Sequence, residues 1–502
     1  MDIYSNSLKD YQNPYQNLYG MLSHSAFRFP EKPAIIDDQE EVPYREFKHR
    51  VDLLSQLLAG KYNLKEKDRI AIVMVNSSRI LEAFYASMKL GIADVMVNTK
   101  FKAEQITALL ADTDIKLILA DSMWLDKLKP AAELLHVDIV TADHFLDDAE
   151  AYPETVPVDG REDAAVIMHT SGTTGMPKGI MVSQSNIMEA SFGYQEIQGL
   201  SSADLTVLSV PIFHILGLSC VSTLFIYIGG TIVLSAFYDV DDVIAKIRKY
   251  RPTHFHSVPT IHLQLIDSEN PQKDFSSIRV AIIGGAPISR EDIDRVEAQM
   301  PNATIHLAYG MTETAGSGTL SLTHKGPLHA VPNVYMRCVD SAHQDVPVGE
   351  IGELVFCGPC IARNRWKLDP LPDDHEYSGD VGYMDADGNV YILDRIKDVV
   401  NRGGEKIFPI QVETVLLTYP GVERAAVYAV SNKEYGEVPY AAIIPCKGAR
   451  LTEADILKYL KGKIATYETP VHVDFMEEFP VTHNGKIRKA ELRKAAEERI
   501  KS

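Results

Sequence analysis

The sequence predicts an α/β protein in which helices cover parallel sheets. Short apolar runs recur between longer segments of helical periodicity, as at residues 70–75, 117–120, 231–234 and 280–283. Such wholly apolar runs are typical of strands buried on both faces, as parallel strands are. The chain has 502 residues, of which 45% are hydrophobic. It can therefore bury several cores and is expected to divide into two to four units.

Two later regions have a different pattern. Residues 332–393 contain short apolar runs interrupted by glycines, which predicts a small antiparallel β unit. From residue 397 onward the pattern predicts a compact module with strands near 424–430 and 440–444 and a helix near 453–464. We therefore predict two domains, residues 1–396 and 397–502.

Composition narrows the functional classes. The formal charge of −19 and the pI of about 5.3 argue against a nucleic-acid partner, because affinity for nucleic acid comes largely from Lys and Arg on phosphates. Five cysteines in so long a chain are typical of reduced thiols in the cytoplasm. Cys357 and Cys360 form a lone CxxC, and His254 and His256 have no third ligand at a suitable spacing, so no zinc site is predicted.

No membrane or export segment is expected. The first residues lack the basic start and apolar run of a secretion signal. Residues 205–238 carry no charged side chain, but Pro211 and the Gly229–Gly230 pair divide them into pieces too short to span a bilayer. We expect a buried strand, loop, helix and strand there instead.

The most distinctive segment is a loop of small, hydroxyl and basic residues between Thr170 and Gly179. Apolar runs at 164–168 and 180–182 flank it, which predicts a strand-loop-strand arrangement. Its glycines allow backbone N–H groups to approach an anion closely, so the loop is typical of a phosphate cradle. It is not a Walker A loop, because Pro177 precedes Lys178 and Gly179 follows it.

Two further motifs follow predicted strands. Residues 278–283 lead into Gly284-Gly285-Ala286-Pro287, and Ser289 then offers a helix cap. Residues 304–308 lead into Tyr309-Gly310-Met311-Thr312-Glu313. Ligands of such sheets bind beyond the carboxyl ends of the strands. The neighbouring hydroxyl and carboxylate of Thr312 and Glu313 suit a phosphate and its magnesium ion.

In order and spacing these motifs resemble the adenylate-forming superfamily of acyl-CoA synthetases, adenylation domains and firefly luciferase, over nearly the whole chain. The resemblance implies a large amino-terminal domain of two α/β subdomains plus a small β-barrel-like unit. A small, mobile α+β carboxyl-terminal domain would follow. Beyond the loops above, the matching segments are Pro211 to His214, Ser378 to Asp380, Asp394 to Asp398, Arg402 to Glu405 and Pro480 to Leu492.

The resemblance also implies roles for single residues. The phosphate loop would use Thr170, Ser171, Gly172, Thr173, Thr174 and Lys178. The adenine site would be formed by Gly285, Ala286, Pro287, Tyr309 and Gly310. Thr312 would contact the α-phosphate and Glu313 would bind Mg²⁺, while Asp380 and Arg395 would hold the ribose hydroxyls. Lys486 would bridge the carboxylate and the α-phosphate, where charge builds as the carboxylate attacks phosphorus.

The chemistry implied has two halves, using ATP, Mg²⁺ and coenzyme A. A carboxylate attacks ATP to give an acyl-adenylate and pyrophosphate, and a thiol then attacks this anhydride to give a thioester and AMP. Between the halves the small domain would rotate about Lys397. This rotation would replace Lys486 by the loop containing Gly404. His214 and Gly284 would border the acyl pocket.

The sequence leaves the acid and the acceptor open. A fatty or aryl acid is expected, since the residues after His214 are apolar and His214 stands where amino-acid-activating relatives usually carry Asp. Residues 362–375 lack the Gly-Tyr-Trp-type segment that CoA ligases often carry. The acceptor is therefore CoA or, alternatively, the phosphopantetheine of an acyl-carrier protein. The same residues would also serve a luciferase-type oxidase or a nucleotide-binding protein without turnover.

Overall fold

The computed structural model of the protein describes residues 15–170, 178–371, 375–480 and 487–501. The chain forms two compact units, one of Met1–Met336 with Phe356–Glu376 and one of Arg337–Val355 with Tyr377–Ser502. The domain boundary between residues 396 and 397 stays a prediction, because the second unit contains residues from both sides of it.

The first sheet of the first unit is parallel except at one edge. Strands Ala164–Thr170 and Lys178–Ser183 flank the predicted phosphate loop, which confirms the strand-loop-strand prediction, and the structure pairs them antiparallel. Apolar side chains of helices Ala103–Thr113 and Leu125–Leu135 pack on this sheet because they form one stripe on each helix. The strands in spatial order are Asn364–Arg365, Lys178–Ser183, Ala164–Thr170, Ala93–Met96, Arg69–Val73, Leu117–Ala120 and Asp138–Thr141.

The second sheet of the first unit has a parallel centre and antiparallel ends. The predicted strands near 231–234, 280–283 and 304–308 all lie within it. In spatial order its strands are Leu328–Ala330, Thr319–Ser321, Thr304–Tyr309, Val280–Gly284, His254–Ser257, Leu205–Leu208, Thr231–Leu234, Pro33–Ile36 and Glu41–Pro43.

One helix of the first unit begins at the cap that the sequence predicts. Ser289 caps helix Arg290–Gln299, its hydroxyl accepting a hydrogen bond from the Asp292 N–H at 3.0 Å.

Residues 205–238 fold as a strand, a loop, a π-helix (Leu216–Thr223) continuing into a short α-helix, and a strand. Within the described ranges, no helix has both the length and the apolar character to cross a membrane. The remaining α-helices are Leu18–Arg28, Tyr44–Gly60, Ser78–Leu90, Gln184–Gln198, Leu224–Ile228, Val240–Tyr250 and Pro259–Asp267.

The second unit contains most of the predicted small β unit and the carboxyl-terminal module, while residues 335–336, 356–357 and 375–376 at the ends of the strands named next belong to the first unit. Strands His375–Met384 and Val390–Arg395 pair antiparallel, and Tyr335–Val339 and Gly352–Cys357 precede them. In the module, Val422–Asn432 and Gly436–Pro445 form a long hairpin. Helices Pro409–Leu417 and Glu453–Leu460 cover one face of it and helix Lys489–Lys501 the other. The remaining strands are Val400–Arg402, Glu405–Ile407 and Val473–Phe475.

One carboxyl group is buried in the first sheet without a charge partner. Asp94 lies in strand Ala93–Met96 beside Val166, is fully buried, and has no hydrogen-bond partner for either oxygen among the described residues. The nearby Ser87 hydroxyl donates instead to the Ala83 carbonyl at 3.1 Å. Burial raises the pKa of Asp94 well above its ordinary value. The carboxyl group is therefore protonated in the folded protein at acidic pH and resists ionisation as the pH rises.

Asp94→Asn is expected to raise the melting temperature at pH 8. The wild-type carboxyl group has a higher pKa folded than unfolded. Its contribution to stability is thus complete below the unfolded pKa and falls by about 1.4 kcal/mol per pH unit between the two values. The amide does not titrate, so the advantage of the variant should shrink as the pH is lowered toward 4. Thermal unfolding of both proteins from pH 4 to pH 8 measures this, and a constant difference would contradict it.

Candidate active site

Neighbouring parallel strands deliver the predicted ligand-binding segments to one edge of the second sheet. Strands His254–Ser257, Val280–Gly284 and Thr304–Tyr309 are parallel neighbours, so their carboxyl ends lie together. Strand Leu205–Leu208 runs parallel to the first of these and leads into the segment with His214. The structure therefore brings the His214, Gly284–Pro287 and Tyr309–Glu313 segments to the same edge, as predicted from the sequence.

Glycines allow the main chains to pass close together at this edge. A Cβ on Gly284 would lie 3.0 Å from the Ala308 Cβ, and one on Gly310 would lie 2.7 Å from the Gly316 carbonyl oxygen. Gly285 adopts a left-handed φ of +82° and is exposed, as are Ala286 and Pro287. The turn after strand Val280–Gly284 thus presents accessible main chain.

The Tyr309–Glu313 segment turns sharply after its strand. The ring of Tyr309 lies 5.3 Å from that of Phe356, and Thr312–Thr314 form a single 3₁₀ turn. The Thr314 hydroxyl accepts a hydrogen bond from the Met311 N–H at 3.1 Å, which fixes the start of the turn. Thr312 and Glu313 are half-buried, so both side chains remain accessible to a ligand.

The segment after strand Leu205–Leu208 forms a wall beside these turns. His214 is half-buried, with its ring 4.6 Å from that of Phe213. Leu216 approaches Gly285, its Cδ1 atom lying 3.9 Å from the position of a Cβ there. Ile215 and Cys220 similarly border Gly316, at 3.3 and 2.6 Å. An apolar wall therefore lies against both glycine turns.

Asn76, which we did not predict from the sequence, holds this wall in place. Its side-chain oxygen accepts a hydrogen bond from the Ile212 N–H at 2.8 Å, and its amide donates to the Val210 carbonyl at 3.0 Å. Asn76 is buried, so both backbone groups depend on it. The contact joins residues 136 positions apart in the chain, and no local motif indicates it.

An ion pair that the sequence did not suggest lies beside the strand that begins at Lys178, at one end of the predicted phosphate loop. Thr170 is paired in register with Lys178 at the two ends of the loop. The guanidinium group of Arg365 pairs with the carboxylate of Glu376, with both side chains nearly buried. The pKa of Glu376 is raised to about 7, mainly because the carboxyl group is buried. The positive charge of Arg365 lowers this pKa, and the negative charge of Glu313 raises it. Glu376 also lies close enough to Lys178 to interact with its charge.

Residues 362–375, which lack the Gly-Tyr-Trp sequence, are held by hydrogen bonds to other segments of the first unit. The Ala362 N–H donates to the Glu313 carbonyl at 2.7 Å. The Trp366 N–H donates to the Gly179 carbonyl at 2.8 Å, and its indole donates to the Asp112 carbonyl at 3.0 Å. Residues 362–366 thus connect the Glu313 turn to the strand that begins at Lys178.

The second unit pairs the two residues predicted to bind ribose. Asp380 and Arg395 face each other across two antiparallel strands, with Nε of Arg395 2.8 Å from Oδ1 of Asp380. The Ser378 hydroxyl accepts from the Asp380 N–H at 3.0 Å and donates to the Leu354 carbonyl at 2.6 Å. Asp380 is buried, whereas the Arg395 side chain is 43% exposed. The two side chains are therefore already in place for a ligand, and the Arg395 side chain remains accessible to it.

Lys397 and Gly404 also lie in the second unit. Lys397 is exposed in the 3₁₀ turn Ile396–Asp398. Gly404 joins strands Val400–Arg402 and Glu405–Ile407 with a φ of +103°, and a Cβ there would meet nothing within 4 Å. The predicted hinge and acceptor loop are thus both at the surface of this unit.

The remaining predicted residues divide into two groups. The predictions for Ser171, Gly172, Thr173, Thr174 and Lys486 lie outside the described residues, and Thr170 is described only in its backbone. His254 and His256 are buried core residues, as expected, and burial lowers the pKa of His254 to about 3. Within the described ranges no group of three His, Cys, Asp or Glu residues is placed to hold a metal ion.

Comparison with known proteins identifies the family. The family model for AMP-binding enzymes matches residues 22–366, and that for the AMP-binding enzyme C-terminal domain matches residues 411–486. The chain therefore belongs to the AMP-binding enzyme family.

Its relatives are similar along most of their length. The chain is 31% identical to feruloyl-CoA synthase of Amycolatopsis sp, with 93% of this chain and 96% of that protein covered. It is 29% identical to 4-coumarate–CoA ligase 1 of Petroselinum crispum, with 88% of each covered. The crystal structure of ATP-bound MatB from Rhodopseudomonas palustris matches with a TM-score of 0.87 at 27% identity, covering 96% of this chain and 99% of that one.

These findings confirm the predicted family, the α/β fold with a large amino-terminal and a smaller carboxyl-terminal domain, and the activity class. The chain is an AMP-forming acid–thiol ligase that uses ATP, Mg²⁺ and CoA. The individual site residues and the domain boundary stay predictions.

Arg365→Met is expected to destabilise the first unit by about 3 kcal/mol or more, since it leaves the buried Glu376 carboxylate unpaired near Glu313. Without the arginine, the pKa of Glu376 rises further above its unfolded value. The deficit should therefore change little between pH 5 and pH 6, where the carboxyl group is protonated in both folded proteins, and grow from about pH 7 to pH 8, where it ionises only in the wild type.

Urea denaturation across this pH range measures the effect. Arg45→Met is the matched control, because its partner Glu31 and Arg45 itself are both largely exposed, and it should cost less than about 1 kcal/mol. Equal and pH-independent losses in the two variants would show that the buried pair has no special role.

Proposed function

We propose that this ligase activates an aryl carboxylic acid and transfers the acyl group to coenzyme A. The observation that carries the proposal is the convergence at one sheet edge of an accessible glycine turn, the Thr312–Glu313 turn and an apolar wall. These supply, side by side, surfaces suited to a flat base, a phosphate with its cation and an uncharged acyl group.

Each unit carries groups suited to the nucleotide. In the first unit the exposed turn at Gly285, Ala286 and Pro287 offers main-chain groups to the adenine edge, and Tyr309 offers a ring face. In the second unit Asp380 accepts from the ribose hydroxyls and Arg395 donates to them. Since this pair is already formed, little side-chain entropy is lost when the sugar binds.

Both a positively charged group and carboxylates are available to bind the phosphates and their magnesium ion. Lys178 begins its strand with an exposed ammonium group, which suits the departing pyrophosphate. The half-buried carboxylate of Glu313, with that of Glu376 nearby, is the oxygen-ligand type that Mg²⁺ prefers. When bound, Mg²⁺ neutralises charge on the phosphate oxygens. Thr312 adjoins Glu313 in the same turn and would donate its hydroxyl to the α-phosphate.

The two half-reactions would use different segments of the second unit. In the first, the ammonium group of Lys486 neutralises charge as the carboxylate oxygen attacks the α-phosphorus and pyrophosphate leaves. In the second, rotation about Lys397 withdraws Lys486 and brings in the loop with Gly404. The thiol then attacks the acyl carbon, AMP leaves, and the thiol proton passes to solvent.

An aryl acid is favoured over a fatty acid by two observations. The wall formed by Phe213, Ile215 and Leu216 is apolar and rigidly attached through Asn76 and the glycine contacts. Feruloyl-CoA synthase, 4-coumarate–CoA ligase and 2-succinylbenzoate–CoA ligase, which are among the relatives, act by name on acids with an aromatic ring. We further propose a cytoplasmic location, because five cysteines in a chain of 502 residues are typical of reduced thiols in that compartment.

The first experiment measures AMP release and product mass from Mg-ATP with a panel of benzoic, cinnamic, fatty, dicarboxylic and amino acids, with and without CoA. We expect AMP and an aryl-CoA product. Turnover with fatty acids alone would contradict the aryl proposal. Pyrophosphate exchange without any CoA product would reassign the acceptor to a carrier-protein phosphopantetheine.

Gly404→Leu is expected to spare acyl-adenylate formation and to reduce thioester formation at least tenfold. The side chain would project from the surface of the loop proposed to line the thiol path. Gly448→Leu is the matched control, since Gly448 also has a positive φ, +85°, and open space around a Cβ, and lies in the same unit. Pyrophosphate exchange reports the first half-reaction, and acyl-CoA formation from supplied acyl-adenylate reports the second. Unchanged thioester synthesis in Gly404→Leu would remove the acceptor-loop assignment.

A further inference from the structure

A buried histidine lies close to the sheet edge at which the predicted ligand-binding segments meet. His256 belongs to strand His254–Ser257 and is in register with Ile282 of the next strand. Val258, just beyond the strand, approaches the turn at Gly285, its Cγ1 atom lying 3.4 Å from the position of a Cβ there. His256 is therefore near the turn that is predicted to bind the nucleotide.

The face of the sheet to which His256 points is defined by its ring contacts. The ring of His256 lies 5.9 Å from that of Tyr194 in helix Gln184–Gln198. The ring of Phe255, the preceding residue, lies 5.1 Å from that of His262. Because successive side chains of a strand point to opposite faces, Tyr194 and His262 lie on opposite sides of the sheet.

Tyr194 connects the face of His256 to the apolar wall and to the loop that follows Glu313. Its hydroxyl donates to the Gly316 carbonyl at 3.3 Å. Burial raises the pKa of Tyr194, and the Cys220 thiol adds to this effect through a hydrogen bond. Cys220 is also the wall residue that borders Gly316. The wall, the loop after Glu313 and His256 therefore all meet at one buried tyrosine.

Polar atoms in this layer have no hydrogen-bond partner among the described residues. They are Nδ1 of His256 and Oγ of Ser317, the residue after Gly316, and both side chains are buried. Burial, helped by the neighbouring His254 and His262, lowers the pKa of His256 well below its usual value. The imidazole is therefore neutral, with one donor and one acceptor nitrogen. A buried polar group without a partner is costly, so a ligand group that pairs with it binds more tightly.

We propose that His256 forms a hydrogen bond with a hydroxyl group on the ring of the aryl acid, so that the accepted acid is a phenolic one. The inference rests on the aryl-acid activation proposed above and narrows its substrate class. An acid that reacts beside the Thr312–Glu313 turn extends its ring between the apolar wall and the second sheet, the layer that holds His256. A phenolic hydroxyl both donates and accepts, and a neutral imidazole can pair with it in either role. A second carboxylate would gain no charge pairing from a neutral imidazole, so a phenol fits better.

The test compares cinnamic acids that carry a hydroxyl group or, at the same ring position, a methyl group of similar size. The kcat/KM of the full-length enzyme for each acid is measured from AMP release with Mg-ATP and CoA. The wild type should prefer the hydroxyl acid roughly tenfold or more at one ring position. His256→Leu should lose this preference, because leucine has a similar size and no hydrogen bond to offer.

Two further variants separate recognition of the substrate from damage to the core. His256→Asn keeps a polar atom near the position of Nδ1 and should retain part of the preference for the hydroxyl acid. His262→Leu is the matched control, because Nδ1 of His262 is also buried without a partner among the described residues, but on the opposite face of the sheet. It should leave the ratio of the two kcat/KM values unchanged. This ratio does not depend on the fraction of enzyme that is folded.

The results distinguish this inference from the proposed function. If aryl acids are turned over without preference for a hydroxyl group, or if the preference survives in His256→Leu, the role of His256 is refuted and the proposed function stands. Equal loss of preference in His262→Leu would also refute that role. If fatty acids alone are turned over, the proposed function fails and the role of His256 fails with it.

Discussion

The candidate site depends on a steric constraint, namely that main chain must meet main chain with no side chain between. A Cβ on Gly310 would lie 2.7 Å from the Gly316 oxygen, and one on Gly217 would lie 2.4 Å from the Pro211 oxygen. The first approach closes the loop that carries Thr312 and Glu313. The second starts the apolar wall. Glycines thus set the positions of both polar and apolar surfaces, because bulkier residues would separate the segments.

Two clusters of buried or half-buried carboxylates are each stabilised by one basic side chain. In the first unit, the guanidinium group of Arg365 forms an ion pair with the carboxylate of Glu376. In the second unit, the ammonium group of Lys489 forms an ion pair with Glu413, and its charge also lowers the pKa of Asp394. A buried charge is tolerated only when a partner is present, so each of these clusters fixes the position of the chain segments that carry it. The candidate catalytic segment at Glu313 adjoins the first of these clusters, since the charge of Glu313 acts on Glu376.

Local features of the site were predictable from sequence, and distant ones were not. Ser289 caps its helix as the sequence predicts, because a cap is decided within a few residues. Arg365 with Glu376, and Asn76 with Ile212, depend on chain segments brought together only by folding. Asp394 belongs to a segment that the resemblance picks out, but the hydrogen bond that it accepts from the Ile410 N–H depends on the fold and is not indicated by the sequence.

The π-helix Leu216–Thr223 affects the direction of the side chains that border the predicted acyl pocket. Each turn of a π-helix holds about one residue more than a turn of α-helix, since its hydrogen bonds run from i to i+5. Side chains after Gly217 therefore point about a quarter-turn or more away from where an uninterrupted α-helix would direct them. The side chains that border the predicted acyl pocket in this stretch must therefore be assigned on a π-helical turn, because an α-helical wheel would name the wrong positions. The wider turn re-aims these side chains while the strands behind them keep their parallel register.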